Sequence, residues 1–582
     1  MKPIIDQMHE LFTSATLRAF PVLSREEVPI EVTQSTQGKF GHYQFNSAMR
    51  LAKPLKKSPR QIAEAIVAEV GTSDPRIASL EIAGPGFVNI TLQASFLNES
   101  INSMVGDSRL GVELPTQRQR IIVEFSSPNT AKELHVGHLR STIIGDSLAR
   151  LFEFLGHDVL RLNHVGDWGT AFGMLIAYLK LEKPQVLSGK EETDLIHLVE
   201  WYKASKQRFD EDEEFKTQSR EEVVKLQSGN AESLQAWRTI CDISRKAYQE
   251  IYDLLNVEIE ERGESFYNPL LPELIEDLTH RDLITVSDGA KCIFLEGFLN
   301  REGDPLPLMV QKSDGGFNYD TTDMAAMRYR CDVDKADRII IITDAGQSTH
   351  FAMIYQASVK AGYLSPSETR FDHVPFGLVL GPDGKKFRTR AGDTEKLADL
   401  LTQAVERADN ILQERNPDVP AEQRHSIAKS LGIGAVKYAD LSCSRTGDYT
   451  FSYDRMLRFD GNTAAFLMYA YVRIAGIKRK IGTRPDDLIG SETIDLQHPS
   501  ELALGLHLLR FSEALETMAE DLMPHRLCDY LYNLAERFNA FFRDCRVEGS
   551  DEQNSRLLLC ELTAKTLSCG LHLLGIQTVE RM

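Results

Sequence analysis

The stretch from 120 to 165 constrains the fold of this chain more than any other. RIIVEF (120–125) is a short strand candidate with a continuous apolar centre. After a loop, Leu139, Ile143, Ile144, Leu148, Leu151, Phe152 and Leu155 recur at helical spacing, and Gly156 stands where a helix C-terminus favours a left-handed residue. DVLRLNHV (158–165) then reads as the next strand. A strand, loop, helix and strand in that order is the unit from which parallel sheets are built. Further on, RIIIIT (338–343) has the unbroken apolar centre of a strand buried on both faces, and a helix and a strand at VPFGLVL (374–380) follow. The middle of the chain is therefore expected to be an α/β domain of the nucleotide-binding kind.

The flanks read differently. Residues 1 to about 110 suggest a compact α+β module, with amphipathic helices at 43–54 and 60–71 and a turn feeding a strand in GPGFVNITL (84–92). The polar segment 107–119, broken by Gly and Pro, marks a boundary. Between 175 and 260 lies a charged, mostly helical insertion, whose DEDEE run (210–214) reads as a solvated helix face. From Thr394 onward nearly everything has helical periodicity, for example 461–481, 498–520 and 524–543. The expected divisions are 1–112, 113–395, 396–455 and 456–582.

The 582 residues contain 42% hydrophobic and 26% charged residues, an ordinary balance for a globular protein of several domains. No run approaches the roughly 20 apolar residues of a membrane span, and the N-terminus carries charges inside its apolar stretch, unlike a secretory signal. The eight cysteines are scattered without a CxxC pair, which favours reduced thiols in a cytoplasmic protein over disulfides or zinc. A net charge of −19 argues against a nucleic-acid partner only weakly, because a local basic surface matters more than the sum.

Two motifs carry chemistry. His135-Val136-Gly137-His138 lies between the strand and its helix. A helix N-terminus offers backbone N–H groups and a dipole that favour phosphate, glycine permits close approach, and imidazoles add donors where charge develops. The same tetrapeptide can equally be a helix cap that binds nothing. Downstream, a Pro-Asp-Gly turn (382–384) leads into Lys385, Lys386, Phe387, Arg388, Thr389 and Arg390. That pattern suits a basic loop closing over a polyphosphate, or simply an exposed basic loop.

HVGH resembles the HIGH signature of class I aminoacyl-tRNA synthetases, and the basic loop sits where their KMSKS signature belongs. VEFSSPNTAKELHVGHLRSTIIGD (123–146), NHVGDWGTAFGMLIAYL (163–179), RGESFYN (262–268), FNYDTTDMAAMRYR (317–330), GKKFRTRAG (384–392), DYTFSYDRML (448–457), GNTAAFLMYAYVRI (461–474) and the terminal LLGIQTVERM (573–582) resemble the arginyl-tRNA synthetase family in particular. HYQFN (42–46) and GFVNI (86–90) extend the likeness into the N-terminal module. The resemblance implies a Rossmann-type α/β catalytic domain with a parallel sheet, an N-terminal α+β tRNA-binding module and a C-terminal all-α anticodon-binding bundle. It implies ATP-dependent activation of L-arginine and transfer to tRNA(Arg), with Mg²⁺ accompanying ATP, tRNA needed for activation, a monomer and no editing domain.

The loop departs from KMSKS, and the resemblance assigns the missing charge to Lys132 together with a loop cation. His135, His138, Lys132, Lys386 and Arg388 are then the catalytic set, and Gly137 and Lys385 further contacts to ATP. For the substrate, an arginine pocket needs carboxylates in fork geometry and polar groups for the amino-acid head. Tyr319 and Asp323, at i and i+4, share one helix face, and the resemblance assigns them to the guanidinium with Glu264. Glu124, Ser126 and Asn129 match positions that bind the ammonium and carboxylate, and Gln347 matches another contact. Tyr469, Tyr471 and Arg473 are candidates for the anticodon bases, although aromatics at helical spacing are commonly core. A class I enzyme for cysteine would show zinc-ligand cysteines, and one for glutamate a cationic pocket. A non-charging relative would have lost HVGH or the acids, and another HxGH nucleotidyltransferase would lack the helical C-terminal domain.

Overall fold

The computed structural model describes residues 2–27, 30–35, 37–71, 74–387 and 395–582. Among these residues the central sheet has five parallel strands, ordered Arg370–Phe376, Arg338–Asp344, Arg120–Glu124, Asp158–Asn163 and Glu260–Glu261. Ile121, Ile122 and Val123 are fully enclosed, and Ile339 to Ile342 nearly so, as unbroken apolar strands demand. From Arg120–Glu124 the chain steps one way to Asp158–Asn163, whereas Arg338–Asp344 and its successor lie on the other side. The strand order thus reverses beside Arg120–Glu124, and the crevice outside the carboxyl ends of the strands there is where open α/β sheets bind ligands. Helix Val136–Leu155 opens onto that crevice and closes on Gly156 at φ 99°. Helix Ser348–Lys360, following Arg338–Asp344, opens onto it from the neighbouring strand.

Helices Thr170–Glu182, Leu195–Glu211, Glu213–Gln227 and Ala231–Leu255 form the insertion. The DEDEE run is not one solvated helix face. It spans the break between two helices, because Asp212 accepts the N–H groups of Glu214 and Phe215 and so caps the second. A further antiparallel sheet, Thr285–Ser287, Ala290–Leu299 and Pro305–Gln311, was not anticipated.

The N-terminal module has helices Ile4–Ala19, Ala48–Leu55, Pro59–Val70 and Ala94–Met104 beside strands Val32–Gln34, Tyr43–Phe45, Phe87–Leu92 and Ile77–Ala83. The expected helix over 43–54 is corrected here. Tyr43 and Phe45 alternate inward, both fully buried, and pair with flanking strands before the helix begins at Ala48. The strand expected over 374–380 runs from Arg370 to Phe376 and breaks at Gly377, whose N–H goes to Arg445 O and whose carbonyl accepts from Arg140.

The C-terminal part is helical, with Leu397–Arg415, Ala421–Leu441, Ala464–Ile481, Pro499–Leu509, Phe511–Asp521, His525–Asp544 and Gln553–Leu573. The single helix expected over 498–520 is two helices, interrupted at Arg510. That guanidinium reaches the N-terminal module, donating to His42 O at 2.5 Å and lying 4.9 Å over the Tyr43 ring. Glu513 accepts from Ile5 N, Gln34 Nε2 and Tyr43 Oη, so the first and last parts of the chain are bonded together. A buried ion pair joins helix Val136–Leu155 to Ala421–Leu441, with Arg140 Nε 3.1 Å from Asp440 and each side chain 1% exposed.

Candidate active site

His135 is the N-cap of helix Val136–Leu155. Its Nδ1 accepts the Gly137 N–H at 3.0 Å, and His138 Nδ1 accepts the His135 N–H at 3.1 Å. Both rings therefore carry their neutral-form proton on Nε2, as a donor. Burial, with Lys386 and Lys132 nearby, depresses the His135 pKa, and burial with His135 and Lys132 brings His138 to about 3. The two rings, 4.1 Å apart, are neutral N–H donors at neutral pH. The glycine between them is required by His135 itself: a Cβ at Gly137 would lie 2.9 Å from His135 Cε1. The cap and the ligand-binding readings of this tetrapeptide thus describe the same geometry.

The loop before it, residues 125–134, is strained and braced. Ser126, Ser127 and Ala131 have φ of 67°, 46° and 61°, in the left-handed region that costs non-glycine residues free energy. Insertion helix Ala231–Leu255 holds this backbone with one polar stripe. Ser244 Oγ accepts the Ala131 N–H at 3.1 Å, Tyr248 Oη lies 2.8 Å from Asn129 O and 2.6 Å from Lys132 O, and Tyr252 Oη meets Ser126 Oγ at 2.8 Å. The spacing i, i+4, i+8 puts all three on one face. The stripe is visible in the sequence, but its partners lie over 100 residues away, so no local pattern reveals what it braces.

Lys132 and Asn129 are exposed, whereas Ser126 and Glu124 are buried with protein partners: Tyr252 for Ser126, and Arg330 at 2.5 Å for Glu124. The Asn129 side chain faces Gly166, where a Cβ would come within 2.2 Å of Asn129 Oδ1.

Across the crevice the basic loop begins as a tight hairpin. Gly381 N donates to Lys385 O, Phe387 N to Val379 O, and the Pro-Asp-Gly turn closes through Gly384 at φ 72°. Lys385 and Lys386 are exposed, and Phe387 packs on Phe451 at 5.0 Å. Arg388 lies outside the described residues. Where the description resumes, Lys396 bridges to His135 through the backbone, and its Nζ meets Glu133 at 2.8 Å, so this segment borders the signature histidines.

The third group is acidic. Asp323 and Tyr319 sit on helix Tyr319–Asp332, with Tyr319 60% exposed at its first turn. Asp323 Oδ2 takes a 2.6 Å bond from His350 Nε2, and Asp320 Oδ1 lies 3.2 Å from His350 Nδ1. Burial opposes the charge on His350, yet the bonds to Asp320 and Asp323 lift its pKa to about 9. Burial likewise opposes ionisation of Asp323, but the His350 bond, with the charges of His350 and Arg330, holds it below the ordinary carboxylate value. Glu264 behaves oppositely. Burial, then Asp323 and Asp167, push its carboxyl up to about 8. Asp167 fixes the Glu264 segment by accepting both the N–H and the hydroxyl of Ser265, at 2.8 and 2.6 Å. Gln347, on the turn after Arg338–Asp344, donates to Asp344 at 3.0 Å. His350, His164 and Asp167 were not singled out from sequence, since nothing local marks them.

The anticodon candidates separate. Tyr469 is 42% exposed with Arg473 4.8 Å over its ring, and Arg473 also bonds Asn539. Tyr471, two residues on and so on another face, gives its hydroxyl to Glu580 at 2.8 Å.

Comparison with known proteins agrees with this architecture. Residues 100–453 match the family described as tRNA synthetases class I (R), catalytic domain. Residues 467–582 match the DALR anticodon binding domain, and 6–92 the arginyl tRNA synthetase N terminal domain. The arginine–tRNA ligase of Protochlamydia amoebophila is 62% identical over 584 residues, covering 100% of both chains. That of Chlamydia caviae is 52% identical, covering 100% of this chain and 99% of its own. The crystal structure of arginyl-tRNA synthetase from Plasmodium falciparum superposes with a TM-score of 0.86 at 33% identity, over 100% of each chain. The Thermus thermophilus arginyl-tRNA synthetase gives a TM-score of 0.79 at 25% identity, covering 99% of this chain and 100% of that one. The chain belongs to the arginyl-tRNA synthetase family of class I aminoacyl-tRNA synthetases.

Proposed function

We propose that the crevice at the reversal of strand order joins L-arginine to tRNA(Arg) at the expense of ATP. The arginine carboxylate attacks the α-phosphorus, pyrophosphate leaves, and the terminal ribose hydroxyl of tRNA then displaces AMP from arginyl-adenylate. The observation that carries this reading is the pairing of two neutral N–H donors at a helix N-terminus with an acidic pocket across the same crevice.

Catalysis by positioning and charge stabilisation needs no covalent help from the protein. His135 and His138 donate from Nε2 to phosphate oxygens, beside the Gly137 backbone. Lys132, Lys385 and Lys386 neutralise the triphosphate, together with Arg388. Mg²⁺ bound to ATP would supply further positive charge to the phosphate oxygens. No three His, Cys, Asp or Glu side chains gather as a ligand set among the described residues.

The arginine side chain enters between Asp323 and Glu264, with Tyr319 at the mouth. Asn129 meets the amino-acid head directly, and Gln347 borders it. Glu124 and Ser126 lie beneath, each held by a protein partner, and support the strand end that presents Asn129. Tyr469 and Arg473 offer an exposed stacking surface for unpaired bases, with Tyr471 bonded to the chain end behind them. The chain acts as a monomer in the cytoplasm in this reading. No helix among the described residues is long and apolar enough to cross a membrane.

Arginine-dependent ATP–pyrophosphate exchange, measured with and without tRNA(Arg), tests the proposal. Exchange only with tRNA supports both the reaction and tRNA-dependent activation. Exchange without tRNA removes the second claim, and no arginine-dependent exchange in a folded sample removes the first.

A further inference from the structure

His164 follows strand Asp158–Asn163, and its side chain is 10% exposed. Its Nε2 lies 3.5 Å from Asp323 Oδ1, and its ring is 5.6 Å from that of Tyr267. Both ring nitrogens are enclosed, and among the described residues neither makes a hydrogen bond. Enclosed polar atoms without a partner are uncommon because the fold loses their hydration and gains nothing in return.

The acceptors around the acidic pocket are already partly used. His350 occupies Asp323 Oδ2. The Glu264 carboxyl group lies near the Trp168 backbone N–H. A guanidinium brings five N–H donors in a planar fork, more than the remaining carboxylate oxygens meet with good geometry. The unpartnered imidazole stands beside the free oxygen of Asp323.

We propose that His164 is a further specificity-determining contact, its ring nitrogen accepting an N–H of the substrate guanidinium next to Asp323. This rests on the assignment of Asp323 and Glu264 to that group. Side chains with fewer donors, such as the ammonium of lysine, leave the nitrogen unmet and are disfavoured for that reason.

The test is His164→Phe, which keeps an aromatic ring against Tyr267 and removes both nitrogens, beside His164→Asn, which retains an acceptor. In tRNA-supported exchange the Phe variant raises KM for arginine about tenfold, while kcat and the KM for ATP stay within about twofold, and the Asn variant recovers most of the loss. Should the Phe variant not fold, His164→Ala reads the same difference against Asn. An unchanged arginine KM in a folded variant, as when an ordered water serves the nitrogen, overturns the proposal. So do equal rises in KM for arginine and ATP. Asp323→Asn is the control. If it too leaves the arginine KM unchanged, the pocket assignment fails, whereas a raised KM there with none in His164→Phe removes His164 alone.

Discussion

On the proposed assignment of Glu264 to the substrate guanidinium, arginine recognition depends on pH in a calculable way. Its carboxyl is pushed up to about 8 by burial and by the charges of Asp323 and Asp167, so most molecules hold it protonated at pH 7. A guanidinium is bound in fork geometry by the carboxylate, not by the acid. The sign follows: bound arginine favours the ionised form, binding releases a proton, and apparent affinity rises with pH until Glu264 is ionised in the free enzyme. With a pKa near 8, the ionised fraction climbs from about 1% at pH 6 to about one half at pH 8, so kcat/KM for arginine rises about 50-fold across that window. The neighbours do not cancel this. His350, lifted to about 9, keeps its charge up to pH 8, and Asp323, held below its ordinary value, stays ionised throughout. The assay is arginine-dependent pyrophosphate exchange with saturating ATP and tRNA from pH 6 to 8, on the wild type and on Glu264→Gln. The variant has weaker arginine binding at every pH and loses most of the slope. A wild-type kcat/KM that is flat over the window, or a variant that keeps the full slope, refutes the reasoning.

Tyr248→Phe deletes the hydroxyl that bonds Asn129 O and Lys132 O, and releases a loop held in left-handed conformations. Exchange kcat/KM falls by about 1–2 kcal/mol, roughly 5- to 30-fold, while thermal unfolding shifts by only a few degrees. Asp440→Ala leaves the Arg140 guanidinium buried without its counter-ion, and thermal or denaturant unfolding shows a loss of about 3–5 kcal/mol. Lys386→Ala withdraws a cation near His135, and steady-state pyrophosphate exchange shows a kcat lower by about 100-fold with KM for arginine little changed.

Local elements and the signature were legible before the structure because they are written at short range. Ile121 to Val123 and Ile339 to Ile342 announce buried parallel strands by lacking alternation. The helix over Val136–Leu155, its glycine stop and the His-x-Gly-His at its start all depend on residues within one or two turns. The misreadings come from the opposite situation. The helix break at Arg510 follows from a guanidinium that reaches His42 and Tyr43, and the strand end at Gly377 from pairing with Arg445 and Arg140.

What tertiary structure alone decided is the company each side chain keeps. Asp323 was visible as an acid on a helix, but not the His350 bond that holds it ionised or the unpartnered His164 beside it. Nor could local pattern reveal that Ser244, Tyr248 and Tyr252 brace a loop over 100 residues earlier. Periodicity follows from the fixed geometry of helix and strand, so any short window contains it. Juxtaposition follows from which strands become neighbours in the sheet, and that choice exists only once the whole chain has packed.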